Sequence, residues 1–471
     1  MKIEQIYTGC LAQGAYFIES EGEAVVIDPL REVKPYLDRA EQADLKIKYV
    51  LETHFHADFV SGHLDLATKS GATIVYGPTA QPGFEAHVAT DGEILSVGKL
   101  KIKVLHTPGH TMESSSYLLM DENGKETALF SGDTLFIGDV GRPDLAQKAA
   151  NMTQEGLASL LFDSLRNKIM PLNDDVIVYP AHGAGSACGK NMSKETTDTL
   201  GNQKKTNYAL RANMTREEFI KEVTDGLMPP PAYFPLNVKM NKLGYDSIDE
   251  VLQRGQQALS AAAFEAAANE TDALILDTRD PEVFAKGFIP NSINIGIDGS
   301  FAPWVGAMIP DIEQPILLVT DPGREEEVII RLARVGYDKA FGYLQGGFAS
   351  WKAAGNEVET IKSVTTAEMV KLAQTGGMPI LDVRKASEYY SEHVINALNG
   401  PLDYINDSML MIDKNQTYLV HCAGGYRSMI FISVLKARGY DNLINVSGGF
   451  AQIKKEGVMP VTDYVCPTTM L

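Results

Sequence analysis

Cysteine is scarce in this chain: four among 471 residues, Cys10, Cys188, Cys422 and Cys466, too scattered to staple a fold. That excludes a disulfide framework, and reduced thiols in a cytoplasm are expected. Cationic side chains are also in deficit, 42 Lys and Arg against 61 Asp and Glu, which leaves a net charge of −19. An acidic surface repels phosphate backbones, so nucleic acid is a poor partner, and an anionic substrate would need local cationic help. No run approaches the roughly 18 consecutive apolar residues of a membrane span. Glu4 stands where a signal peptide would build its apolar core, so neither membrane insertion nor secretion is expected. The length suggests two to four domains at about 100–200 residues each.

Histidine is unevenly spread. Seven of the nine lie in the first 182 residues, and the other two are His393 and His421. The first segment therefore reads as a metal domain. Residues 2–7, 15–19 and 23–28 have strand patterns, as do KIKYVLETH, KLKIKVLHT, SSSYLLMD, TALFSGD and DDVIVYPAH. SGHLDLATKSG reads as a helix closed by Gly71, and further helical patterns fall at 153–168, 195–212 and 215–225. LMPPPAYFP at 227–235 predicts a stop and an extended tail. The remainder contains an internal repeat. ALILDTRDPEVFAKGFIPNSINI at 273 resembles MPILDVRKASEYYSEHVINALNG at 378, and LARVGYDKAFGYLQGGFASW at 332 resembles LKARGYDNLINVSGGFAQI at 435. Strands alternate with helices in each copy, which predicts two small α/β units with mainly parallel sheets.

Four strand-end pieces carry candidate metal chemistry: THFHAD with His54, His56 and Asp58, TPGHT with His110, SGDT with Asp133, and YPAHG with His182. A lone His or Asp at a strand end is usually a hydrogen-bonded turn residue. Four such pieces in this order are a specific signal, because a rigid sheet aims its strand-end loops at one point. HFHAD, PGHT, GDT and PAH in this order resemble the metallo-β-lactamase fold, an αββα sandwich with its metal site at one edge. The resemblance covers about the first 240 residues. In that fold a second metal would use Asp58, the residue after it, Asp133 and His182. Here that residue is Phe59, which has no ligand atom, so one metal per chain is expected, with Asp58 and His182 beside it rather than on it. Two imidazoles and one carboxylate on one face suit the facial triad of non-heme Fe(II) oxygenases. The pattern is similar to that of persulfide dioxygenases of this fold. Carried across, the resemblance implies Fe(II) on His54, His110 and Asp133, with His56 a close neighbour. Arg142, in GDVGRPDL, is a candidate for holding a substrate carboxylate or sulfur oxyanion, or else a turn residue paired with Asp139 or Asp144. Cys188 is either a thiol near substrate or a small buried side chain.

CAGGYRS at 422–428 follows the strand TYLVH and precedes a helical run. Gly424 and Gly425 let the loop curl its N–H groups inward, and the helix N-terminus and Arg427 add positive potential, all favouring a Cys422 thiolate and a bound sulfur anion. This Cys-x4-Arg loop resembles the rhodanese sulfurtransferases over about residues 362–461. Tyrosine phosphatases generally use a longer, Cys-x5-Arg loop. In the first copy the loop is VTDPGREEEV. Asp321 replaces the cysteine, Pro322 removes a donor, and Glu325, Glu326 and Glu327 add negative charge, so that copy cannot carry a persulfide.

The whole chain resembles bacterial multidomain persulfide dioxygenase–sulfurtransferases. Three domains are expected: 1–242 with the dioxygenase, 243–360 a degenerate rhodanese-like unit, and 361–471 an active rhodanese. The implied chemistry is oxidation of a small-molecule persulfide by dioxygen to sulfite, coupled through Cys422 to thiosulfate in sulfide detoxification, and a homo-oligomer is expected. The rivals are a zinc thioester hydrolase of the glyoxalase II kind and a non-enzymatic sulfur relay.

Overall fold

The computed structural model describes residues 1–466. They form two compact units. One is Met1–Glu250 together with Leu332–Gly336, and the other is Val251–Arg331 together with the chain from Tyr337 onward. The first unit is an αββα sandwich. One six-stranded sheet runs in chain order through Lys2–Thr8, Gln13–Ser20, Glu23–Ile27, Lys46–Leu51, Thr73–Tyr76 and His87–Val88. The second orders Asp198–Thr199, Ile177–Pro180, Glu126–Gly132, Ser115–Met120, Leu100–His106 and Ile94–Val97 side by side.

Period-two alternation decides which side chains meet. From the strand Gln13–Ser20, Tyr16 and Ile18 enter the core between the sheets with Val25, Leu51, Val104, Tyr117 and Phe130. Its alternate residues, Ala15 and Phe17, face Val33, Tyr36 and Leu66 around the helices Lys34–Gln42 and His63–Ser70. Leu105, Leu118 and Leu129 cover the other outer face, against Leu161, Leu200 and Phe219. Gly71 closes the helix His63–Ser70 with a left-handed φ of 72°, as its sequence predicts. The Pro-rich tail is a correction. Pro235 does not end an extended stretch but lies in the first turn of a helix, Phe234–Leu243, where its missing N–H costs nothing. The helical pattern predicted over 195–212 is also broken, into the short strand Asp198–Thr199, the helix Leu200–Thr206 and a single 3₁₀ turn.

The second unit holds the sheet of each repeat. Each is a five-stranded sheet with parallel pairings throughout, Ala258–Leu259, Ala340–Leu344, Ile316–Val319, Leu274–Asp277 and Ile293–Asn294 in one, and Ser363–Val364, Leu443–Val446, Tyr418–His421, Ile380–Asp382 and Leu398–Asn399 in the other. The repeats share a buried polar lock. Arg279 Nε reaches Asp277 at 2.9 Å and Arg384 Nε reaches Asp382 at 3.0 Å. The guanidinium lies over Phe348 in one copy (4.2 Å) and Phe450 in the other (3.9 Å). Asn294 and Asn399 donate to the carbonyls of Asp277 and Asp382. A buried carboxylate is tolerable only when paired and hydrogen-bonded in this way. Among the described residues no helix is long and apolar enough to cross a membrane.

Candidate functional site

Each candidate ligand stands just past a strand end. His54, His56 and Asp58 follow Lys46–Leu51, His110 follows Leu100–His106, Asp133 follows Glu126–Gly132 and His182 follows Ile177–Pro180. His54, His110 and Asp133 are buried and come together, with one ligand atom from each lying within 4.8 Å of the others. The hydrogen bonds settle how the two rings point. Thr53 Oγ1 gives its only proton to Asp28 Oδ2 (2.9 Å), so toward His54 Nδ1 at 3.0 Å it can only accept. His54 therefore carries its proton on Nδ1 and its lone pair on Nε2. His110 Nδ1 lies 2.9 Å from the carbonyl of Arg142, which also can only accept, so its lone pair is again on Nε2. Burial, with His56, His110 and His182 nearby, pushes the His54 imidazole well below its ordinary pKa. Facing these lone pairs is Asp133, whose carboxylate oxygens are buried without a hydrogen-bond partner. Asp133 Oδ2 lies 3.4 Å from His110 Nε2 and 3.9 Å from His54 Nε2. Two lone pairs and an anion aimed at one point fit a cation.

His56 points elsewhere. Its Nε2 lies 3.1 Å from Asp28 Oδ1 and 3.5 Å from Glu52 Oε2, and its ring packs 4.3 Å from that of Phe59. Burial opposes its charge, but Asp28, Glu52 and Asp58 together raise its pKa to about 9. His182 Nε2 lies 3.4 Å from Asp58 Oδ2 and 3.6 Å from Asp133 Oδ1. His56, Asp58 and His182 form a second group of three potential ligands, and Asp133, His182 and Cys188 a third. Cys188 is buried, and its burial, with the Asp58 and Asp133 carboxylates, pushes the thiol well above its ordinary value. Sequence reasoning missed Asp28, Thr53 and Glu52, which orient the histidines. The only signal was an apolar strand, AVVID, ending in an acid.

Arg142 is not placed as a free anion clamp. Its guanidinium is bidentate on Asp144 (2.7 Å twice) and also donates to the carbonyls of Ala187 and Met228. Four of its five side-chain N–H donors hold the loop, and the contact it makes at the site is the backbone carbonyl that orients His110.

In the second repeat, Cys422 is buried between the strand Tyr418–His421 and the helix Tyr426–Ala437. Gly425 takes φ 106°, open to glycine and strained for other residues, and so turns its N–H onto Cys422 Sγ at 3.1 Å. The Phe450 and Ala451 N–H groups tie down the Cys422 and Ala423 carbonyls. Gly424 is exposed at the rim. Arg427 pairs with both oxygens of Glu388 (2.6 and 2.9 Å) and, against the upward push of burial, holds that carboxyl below its ordinary value. Its charge therefore reaches the loop as half of an ion pair. In the first repeat Asp321 is exposed, and Arg324 is engaged by Asp298 (2.8 Å) and Glu327 (2.9 Å). Asp321→Ala should leave oxygen uptake and thiosulfate formation within about twofold of the parent, as for other exposed substitutions. A large loss of either in folded protein would give that loop a chemical role.

Known proteins resemble the chain in its order of domains. The model of the "Metallo-beta-lactamase superfamily" matches residues 8–182, and that of the "Rhodanese-like domain" matches 260–354 and 365–456. The hydroxyacylglutathione hydrolase GloC of Haemophilus influenzae is 30% identical over 213 residues, 40% of this chain and 94% of that one. The human mitochondrial persulfide dioxygenase ETHE1 is 28% identical over 221 residues, 46% of this chain and 78% of that one. A solved metallo-beta-lactamase structure from Staphylococcus aureus subsp. aureus COL is 34% identical, covers 73% of this chain and 98% of its own, and superposes with a TM-score of 0.64. The chain belongs to the metallo-beta-lactamase superfamily and carries two rhodanese-like domains behind that fold.

Proposed function

We propose that residues 1–242 oxidise a low-molecular-weight persulfide with dioxygen at a single Fe(II), and that residues 361–471 move the sulfur on through Cys422, with 243–360 taking no covalent part. The observation that carries this reading is the convergence of His54, His110 and Asp133, with Phe59, packed on the His56 ring, at the sequence position where a second cation would need a ligand. Iron held by these three residues would supply a Lewis acid and redox partner for dioxygen. The chain's own residues do the rest. Thr53 and the Arg142 carbonyl fix the two imidazoles, Asp133 supplies the negative charge, and the buried surroundings keep bulk water away. Overall, RSSH, O2 and H2O give RSH and sulfurous acid. The outer sulfur gains both atoms of dioxygen and one oxygen from water. In the second repeat, sulfite attacks the outer sulfur of a Cys422 persulfide. The S–S bond breaks toward Cys422, and thiosulfate leaves. The Gly425 N–H lies on that leaving sulfur. The same residues allow the reverse direction.

A second reading is a two-metal thioester hydrolase. It is favoured by the His56, Asp58 and His182 group and by the likeness to GloC. Anaerobic purification with metal analysis, then oxygen uptake on several persulfides and hydrolysis of a glutathione thioester, separates the two. One iron per chain with oxygen uptake is expected. Two zinc ions with thioester hydrolysis and no oxygen uptake would overturn it.

A further inference from the structure

The helix Tyr426–Ala437 does not pack on its own repeat alone. Its first residue, Tyr426, reaches the middle repeat, where the hydroxyl donates to the Gly296 carbonyl at 2.7 Å. A β-carbon at Gly299 would stand 2.4 Å from the Tyr426 ring, and one at Gly296 would stand 3.2 Å from it. Neither glycine has a positive φ, so both provide space for the ring and not backbone freedom. Two turns on, the Ser433 hydroxyl accepts the Asn294 N–H at 2.9 Å. A cleft of about 200 Å³ opens along this seam, with Pro281, Glu282 and Ile297 on one wall and Gly424, Gly425 and Tyr426 on the other. The mouth of the Cys422 loop thus has a wall made by the repeat that carries Asp321 in place of a cysteine.

We propose that the middle repeat is the seat of the Cys422 loop: by holding Tyr426 against Gly296 and Gly299, it keeps the neighbouring Gly425 N–H on the Cys422 sulfur. Tyr426 is then a positioning residue for sulfur transfer, an inference that rests on reading Cys422 as the sulfur carrier. The loop is anchored on both sides of Gly424. Ser428 Oγ donates to the Gly425 carbonyl at 3.0 Å, and Phe450 N–H holds the Cys422 carbonyl. The exposed rim at Gly424 lies between, and Tyr426 ties its C-terminal side to the middle repeat. A donor held in place before reaction stabilises charge on sulfur without reorganisation, and losing its support should slow the reaction more than it weakens binding.

The test uses the full-length protein and two rates at Cys422, both read by mass spectrometry of its peptide. One is alkylation by iodoacetamide. The other is sulfur loading from thiosulfate, in which Cys422 attacks the outer sulfur, the S–S bond breaks, sulfite leaves with the electron pair and Cys422 keeps the sulfur as a persulfide. Gly299→Ala and Tyr426→Ala should each slow both rates about tenfold. Tyr426→Phe keeps the ring in its seat and loses one hydrogen bond, so it should recover to within about threefold of the parent. In steady-state sulfur transfer the loss should fall on kcat, with KM for thiosulfate within about twofold. Parent-like rates in a natively folded Tyr426→Ala overturn the proposal, as does a Tyr426→Phe no faster than Tyr426→Ala. If Gly299→Ala fails to fold, the two Tyr426 variants decide. A parent whose Cys422 is alkylated but takes no sulfur refutes the carrier reading, and the alkylation rates alone then judge the seat.

Discussion

Replacing His110 with alanine is expected to empty the metal centre and end oxygen uptake. His110 gives one of three side chains that converge on the site, and its ring is aimed by the Arg142 carbonyl at 2.9 Å. Losing even an orienting partner of a metal ligand typically costs about 10–100-fold in affinity, and losing the ligand itself should exceed that. Metal content after dialysis should therefore fall to background, and oxygen uptake on a small persulfide with it. Sulfur loading of Cys422, in the other compact unit, should be untouched, and a parent-like circular-dichroism spectrum shows that the first unit is folded. Retained iron and parent-like oxygen uptake would remove His110 from the centre.

Cys422→Ser should divide the reaction instead of ending it. A serine hydroxyl stays protonated at neutral pH and cannot form a persulfide, whatever the Gly425 N–H offers it. The set of His54, His110 and Asp133 belongs to the other compact unit and keeps all its partners. Oxygen uptake should persist near the parent's rate while the product shifts from thiosulfate to sulfite. Product analysis during turnover checks this, after correction for the uncatalysed reaction of sulfite with persulfide. Thiosulfate at the parent's rate would show that Cys422 is not the carrier, and Cys188, beside Asp133 and His182, would become the leading alternative.

Residues that announce themselves by local pattern were legible in the sequence. Histidines and aspartates at strand ends, the Cys-x4-Arg loop and the duplicated α/β pattern are features of a few neighbouring residues, and the fold follows from them. Contacts made across long stretches of chain were not. Nothing near Thr53 shows that its proton goes to Asp28, and nothing near Arg142 shows that Met228, 86 residues on, takes one of its donors. The Tyr426 hydroxyl finds its acceptor 130 residues earlier, at a glycine that looks like any other loop glycine. Pro235 is ambiguous in the sequence for a different reason: a proline that stops one helix is equally suited to begin the next. The lock of Asp277 with Arg279 and of Asp382 with Arg384 lay in the two aligned stretches, but its burial is a tertiary fact.

The three side chains proposed to hold iron come from both layers of the sandwich. His54 follows a strand of one sheet, and His110 and Asp133 follow strands of the other. An ion shared between them would fasten the two sheets at one edge, and its binding free energy would add to the stability of the whole first unit. By mass action, free metal at a hundred times its dissociation constant would add about 2.7 kcal/mol, a sizeable part of a typical domain's margin. Iron supply would then set not only how fast the enzyme works but how long the chain survives, since the metal-free protein would unfold more often and be open to proteolysis.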